Sequence, residues 1–183
     1  MYHTLVALVE DKPGVLNRVA SLFRRRAFNI ESLTVGHTDK DGISRMTIVV
    51  NSDATGVERL TAYLYKLVNV IQVHDLTPLS TVSRDLAMIK VSTQPENRPH
   101  IMQVVDVFRA RVVDVTNHSL IVEVTGDEEK IEGLVEVLKP YGIIEMVRTG
   151  IVAMARGASP VPPLNYNGNG HIPAGQAEPP TTG

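Results

Sequence analysis

Apolar residues fall along this chain in runs and stripes that switch between strand and helix spacing. Leu5–Val9 is an unbroken apolar run, as expected of a strand buried on both faces. Asp11–Gly14 breaks it sharply. Val15, Leu16, Val19, Ala20, Leu22 and Phe23 then recur at helical spacing, with Asn17, Arg18, Ser21 and Arg25 on the opposite side. Arg24-Arg25-Arg26 closes that helix, where cations suit the negative end of the dipole. Ile30–Val35 and Ile43–Val50 read as strands joined by a polar turn through Asp39-Lys40-Asp41-Gly42. Asp53 can cap a second helix, whose core face is Val57, Leu60, Leu64 and Leu67. Val70–Leu76 closes the set as a last strand. The order is βαββαβ, the ferredoxin-like arrangement.

The second half repeats that order. Leu86–Val91 reads as a strand, and a helix near Pro99–Arg109 buries Ile101, Val104 and Phe108. Val112–Thr116 and Leu120–Thr125 pair as a hairpin across Asn117-His118. Asp127 can cap a helix that buries Ile131, Leu134, Val135 and Leu138, and Pro140-Tyr141-Gly142 ends it before a closing strand, Ile143–Thr149. Thr77–Arg84 is the expected linker. The expectation is an α+β protein of two tandem ferredoxin-like βαββαβ domains, residues 1–78 and 79–157. Residues 158–183 carry six of the prolines and no Lys or Arg. Such a segment cannot bury enough apolar surface to offset its ordering entropy, so a disordered tail is expected.

Composition narrows the function. The chain has 183 residues, a formal net charge of −2 and no cysteine. No bulk basic field invites nucleic acid, and there is no disulfide framework, Cys-ligated metal or thiol chemistry. No apolar stretch approaches the roughly 20 residues of a membrane span. Met1-Tyr2-His3-Thr4 runs straight into a strand, which leaves no room for a signal or transit peptide, so a soluble cytoplasmic protein is expected.

Catalysis has little support. No nucleophile elbow, phosphate loop or metal-spaced His pair occurs. The histidines at 3, 37, 74, 100, 118 and 171 are scattered, each expected on the surface or on an edge strand. Asp11 and Glu31 could be counted as a carboxylate pair, but capping or solvation accounts for them. An acylphosphatase would need an Arg beside its anion loop, and this loop carries Lys12 instead. The RNA recognition motif shares the topology but needs aromatics on its first and third strands, and Leu5–Val9 and Ile43–Val50 have none.

The turn at 11–16 is the better candidate. Pro13 suits the first turn of a helix, where its missing N–H costs nothing. Gly14 lets a ligand approach the backbone. The N–H groups of Gly14, Val15 and Leu16 would then converge at the positive end of the helix dipole, a place for a small carboxylate. An ordinary strand-to-helix turn is the plain alternative.

Asp11-Lys12-Pro13-Gly14-Val15-Leu16, an amphipathic helix, then Asn29-Ile30-Glu31-Ser32-Leu33 resembles the ACT domain, a module that binds amino acids and regulates metabolic enzymes. The longer blocks Phe28–Val35, Ser44–Ile48, Phe108-Arg109-Ala110 leading to Val113–Thr116, and Glu145–Gly150 resemble the regulatory small subunit of acetohydroxyacid synthase (acetolactate synthase). That resemblance covers roughly residues 2–157. It implies an ACT domain over 1–78 that senses an amino acid and dimerises. It also implies a non-catalytic chain that activates a catalytic subunit and carries feedback inhibition by valine. The family's cofactors, thiamine diphosphate, magnesium and FAD, belong to the catalytic partner, and none is expected in this chain.

The implied effector site comprises Asp11, Gly14, Val15, Leu16, Asn29 and Ile30. The backbone donors would take the ligand carboxylate, and either Asp11 or the amide oxygen of Asn29 would take its ammonium. Many ACT domains carry Asn where this chain has Asp11, which puts a negative charge near the ligand carboxylate. By the same resemblance the site lies at a homodimer interface, with the Pro-Gly turn of one chain facing the Asn29 region of the other. Arg24–Arg26 and Arg45 are candidates for contacting the catalytic subunit. The alternative reading is a free-standing ACT sensor that controls another enzyme or a transcription factor.

Overall fold

In the computed structural model, which describes residues 1–157, the first half builds β1 (Tyr2–Glu10), α1 (Val15–Arg25), β2 (Ile30–His37), β3 (Ile43–Asn51), α2 (Ala54–Leu64) and β4 (Val70–Asp75). The tail expected over 158–183 lies outside the described residues. The strands form one antiparallel sheet in the order β2-β3-β1-β4. Leu5, Ala7 and Val9 alternate toward the helices and meet Val15, Val19 and Phe23 of α1 and Val57, Leu60 and Leu64 of α2. Asp53 caps α2 as expected, its carboxylate accepting the Gly56 N–H at 2.6 Å.

The second half builds β5 (Thr81–Ser92), α3 (Arg98–Val107), β6 (Arg111–Val115), β7 (Ser119–Gly126), α4 (Glu128–Leu138), β8 (Ile143–Arg148) and β9 (Val152–Ala155). Its sheet runs β6-β7-β5-β8, and its core joins Ala87, Ile89 and Val91 to Ile101, Val122, Ile131 and Leu134. Asp127 caps α4 through the Lys130 N–H at 3.0 Å. The α+β fold of two βαββαβ units is therefore the observed one.

The region between the units differs from expectation. The linker expected over Thr77–Arg84 shortens, because β5 begins at Thr81. Its first four residues pair with β9, register Thr81↔Ala155 to Arg84↔Val152. Neither half of that ladder has a recognisable apolar alternation. The ladder exists because Val6 on the back of the first sheet, Leu76 and Ala153 form a small buried cluster, with Leu79 and Ile151 packed on it. Arg45, from the middle of β3, donates to the Ala153 carbonyl at 2.6 Å on this same face. His74, opposite Val6, also points this way, and burial together with the Arg45 charge pushes its imidazole below the ordinary value.

His3 departs from the expectation of a surface or edge position. It sits on β1, an inner strand, with only 6% of its surface exposed, and its Nδ1 lies 3.4 Å from Asp75. Its neighbours Leu5 and Val50 belong to the core, so the sheet closes over it.

Candidate functional site

Pro13 does not enter the helix. The Lys12 carbonyl accepts the Val15 N–H at 3.3 Å, and Gly14 has φ +84° and ψ −6°. Those are the bond and the third-residue angles of a type II turn with Pro in second place. Gly14 is the N-cap, and helical hydrogen bonding starts when its carbonyl accepts the Arg18 N–H at 3.0 Å. The expected position of Pro13 in the first helical turn is corrected accordingly: a Pro-Gly pair ahead of a helix satisfies both geometries, and only the hydrogen bond distinguishes them. A Cβ on Gly14 would meet nothing within 4 Å, so the requirement for glycine here is its left-handed backbone, not space.

This turn sorts the expected donors. The Val15 amide is spent on Lys12, and its side chain is buried. The amides of Gly14 and Leu16 take no acceptor among the described residues, and neither does that of Asn17, a third donor that the sequence pattern did not single out. The Leu16 side chain is 46% exposed beside them. A positive helix end with free amides and no acidic residue in its first turn can hold a carboxylate.

The turn is fixed from behind. Glu10 donates its N–H to the Asn69 carbonyl at 2.9 Å, and Asn69 Nδ2 donates to Glu10 Oε2 at 2.6 Å. Arg18 on α1 donates to Asn69 Oδ1, and Lys12 pairs with Glu10 at 3.2 Å. The Asn69 hydrogen bond, against the opposing effect of burial and with help from Lys12, holds the Glu10 carboxyl below its ordinary value. Asp11 faces the other way. Its N–H donates to the Gly42 carbonyl at 2.8 Å, and its carboxylate stands 3.4 Å from His37 Nδ1 at the end of β2. His37 is the neighbour that sequence reasoning missed, since only the sheet register brings positions 11 and 37 together.

Asn29 and Ile30 are not brought to this place. β2 runs parallel to β1, both being antiparallel to β3. Ile30 is level with His3 through Val50, and His37 is level with Val9 through Ser44. From position 3 to position 11 the sheet spans roughly 26 Å at about 3.3 Å per residue. Within one chain, Asp11, Gly14, Val15 and Leu16 thus sit at one end of the sheet and Asn29 and Ile30 at the other. Asn29 is exposed, and its Nδ2 donates to Glu31 Oε1 at 2.8 Å, which leaves its Oδ1 facing solvent as an acceptor. Ile30 packs its side chain on the core. One cleft lined by Asp85, Asp127 and Glu128 and another lined by Arg25, Arg59 and Tyr63 contain none of the six residues. β2 is an edge strand, with no strand on its outer side among the described residues. Val35, on the helix-side face of β2, is 42% exposed.

Among the described residues, no group of three His, Asp or Glu is arranged to hold a metal, and no helix is long and apolar enough to cross a membrane.

Residues 5–72 match the family model described as the AHAS small subunit-like ACT domain, and residues 84–157 match that described as the small subunit of acetolactate synthase. A probable acetolactate synthase small subunit from Archaeoglobus fulgidus is 54% identical over 157 residues, covering 86% of this chain and 98% of that one. The acetolactate synthase small subunit of Bacillus subtilis is 49% identical over 158 residues, covering 86% and 92%. The crystal structure of the acetolactate synthase small subunit from Thermotoga maritima superposes with a TM-score of 0.81 at 40% identity, covering 87% of this chain and 99% of that one.

Proposed function

The chain belongs to the acetolactate synthase small-subunit family, and from that premise we propose that it is a non-catalytic regulator. It activates a catalytic subunit and confers feedback inhibition by valine through a pocket shared between two copies. Residues 1–78 act as the sensing and dimerising unit and 79–157 as its companion.

The observation that carries this reading is the direction of β2. It is an uncovered edge strand, and exposed edges invite pairing with a second copy. If two copies pair antiparallel about a two-fold axis between Leu33 and Thr34, Ile30 of one lies opposite His37 of the other. Asn29 of the second copy then arrives beside Asp11 and the free amides of Gly14 and Leu16, the residues from which it is separated in its own chain. The pocket so formed has donors for a carboxylate from the turn. It has acceptors for an ammonium from Asn29 Oδ1 and the adjoining Glu31. The exposed aliphatic side chains of Leu16 and Val35 suit a branched ligand side chain. Asp11 stands 3.4 Å from His37 Nδ1 on the side where Asn29 of the second copy would arrive. Regulation follows by linkage: valine must bind the inhibited arrangement of the complex more tightly than the active one. The family match over 84–157 favours this reading over a free-standing sensor acting on another enzyme or a transcription factor.

The test separates charge from backbone strain at position 14. Asn and Asp tolerate the left-handed conformation alike, so Gly14→Asn reports the strain and Gly14→Asp adds the negative charge. Gly14→Asp should lower valine affinity at least tenfold beyond Gly14→Asn in calorimetry. Asn29→Ala should cost about 1–3 kcal/mol of binding. Both should still raise the turnover of a reconstituted catalytic subunit, and Asn117→Ala in the second half should change nothing. Unchanged valine affinity in Gly14→Asp and Asn29→Ala together would place the pocket elsewhere.

A further inference from the structure

Two of the sequence blocks that mark this chain, Phe28–Val35 and Glu145–Gly150, lie 110 residues or more apart and touch in the structure. β2 presents Leu33 to the helix-side core and Ser32 and Thr34 to the opposite face. On that face the Ile151 N–H donates to Ser32 Oγ at 3.1 Å, and Thr34 Oγ1 donates to the Thr149 carbonyl at 3.4 Å. Between them Gly150 has φ +85°. A Cβ there would stand 2.7 Å from Ser32 Oγ and 3.1 Å from Thr34 Oγ1, so the backbone angle favours glycine and a side chain would push both hydroxyls out of their hydrogen bonds.

The other end of this segment is fixed in the second unit. The Thr149 N–H donates to the Leu86 carbonyl at 3.0 Å, and its hydroxyl donates to Asp85 Oδ1 at 3.1 Å. Arg148 Nε donates to Asp85 Oδ2 at 2.7 Å, while its Nη1 reaches Glu132 on α4 at 2.6 Å. Asp85 is 2% exposed, so this anchor is buried and paired. Beyond Ile151, the chain enters β9, whose Ala153 carbonyl takes the Arg45 guanidinium of β3.

We propose that the Thr149-Gly150-Ile151 turn is the mechanical link through which effector occupancy at β2 is transmitted to the second unit. It rests on the effector reading above and names how that site regulates. One strand serves both functions: its outer edge and helix-side face border the proposed pocket, and its back face holds the second unit by two hydrogen bonds and a close glycine contact. A displacement of β2 that reached Ser32 and Thr34 would move a segment tied through Thr149 and Arg148 to β5 and α4. A fit without room for a methyl group transmits such a displacement instead of absorbing it. The Arg45–Ala153 bond carries the same link to the neighbouring strand. This gives the coupling a stated physical path, which double-mutant measurement can test.

Gly150→Ala breaks the link sterically, and Ser32→Ala with Thr34→Val breaks it mildly, without altering any backbone angle, so that one folded variant is at hand whichever tolerates substitution. L-Valine is the probe, on the full chain and on the complex reconstituted with its catalytic subunit. The expected result is that valine affinity of the isolated chain changes less than about threefold, while inhibition of the complex at saturating valine falls to less than about half of its wild-type extent. By reciprocity of binding, any shift that valine produces in the affinity of the wild-type chain for the catalytic subunit should shrink in the variants. Hydrogen exchange at the Ile151 amide should slow on valine addition in the wild type and not in Ser32→Ala with Thr34→Val. Full inhibition in a variant that binds valine normally would overturn the link. So would loss of valine binding itself by more than tenfold, since the segment would then belong to the pocket. Wild-type chain that binds no valine would strike the effector reading first, visibly and without any variant.

Discussion

Glu10 shows how a single hydrogen-bonded side chain can set the conditions under which the turn exists. Its carboxylate receives Asn69 and Lys12 at the root of the Pro13-Gly14 turn, and its pKa is lowered from an ordinary value of 4.5. A carboxylate with a depressed native pKa contributes stability that is fully present above its unfolded pKa and is lost as pH falls through the native one. Glu10→Gln should therefore cost about 1 kcal/mol at neutral pH, in keeping with a partly exposed charged hydrogen bond. The cost should be constant above roughly pH 5 and shrink toward zero at lower pH. Denaturant unfolding of both proteins across that range measures it, and a difference that grows on acidification would show that Glu10 is not held as described. At this scale the sequence was readable where the chemistry is local. Asp53 and Asp127 cap their helices because an Asp four residues before the first core position of a helical apolar stripe satisfies the N–H three residues on. Pro13 is ambiguous in the sequence because a Pro-Gly pair fits both a first helical turn and a type II turn. Asn17 and His37 carry no signal of their places, since a free amide and a cross-strand neighbour have no signature in residue type.

At the scale of elements, the twelve strands and helices of the two βαββαβ units were legible from periodicity, while β9 was not. Val152–Ala155 has no apolar alternation, and its partner, Thr81–Arg84, looks like a linker. What makes both into strands is the back face of the first sheet, where Val6 needs cover. A four-residue strand stabilised by a surface some 150 residues away in sequence leaves no local pattern to read. The element that holds this region is β8, through Arg148 and the buried Asp85. Arg148→Met would leave that carboxylate in the interior without a charged partner, held by the Thr149 hydroxyl alone, where loss of a buried partner typically costs about 3–5 kcal/mol. Because Arg148 is itself partly exposed, a loss of about 3 kcal/mol is expected in denaturant unfolding. Adding Asp85→Asn should restore part of it, since the buried charge is then gone. A single variant as stable as wild type would mean that water or another group satisfies Asp85.

At the scale of the whole molecule, the register of the first sheet turns a question about assembly into one about arithmetic. The Pro-Gly turn and Asn29 lie at opposite ends of one sheet, so a site using both requires either two copies or none. Two defective chains can therefore complement each other. A Gly14→Asp chain still offers an intact Asn29 region, and an Asn29→Ala chain still offers an intact turn. In a dimer of one of each, one pocket carries both defects and the other carries neither. Random pairing of equal amounts puts about half of the chains in such mixed dimers, so about one quarter of all pockets should bind valine normally. Each homodimer alone should show only weakened sites. Refolding the two variants together and titrating valine by calorimetry reads the fraction directly, and light scattering confirms that dimers form. Leu33→Pro, which removes an N–H from the edge of β2 and disturbs its pairing, should abolish the recovery along with the dimer. Weak binding in the mixture, with dimers present and exchanging, would mean that each pocket is built within one chain. The register of β2 against β1 would then have to be wrong, which makes the mixing experiment a test of the fold as well as of the site.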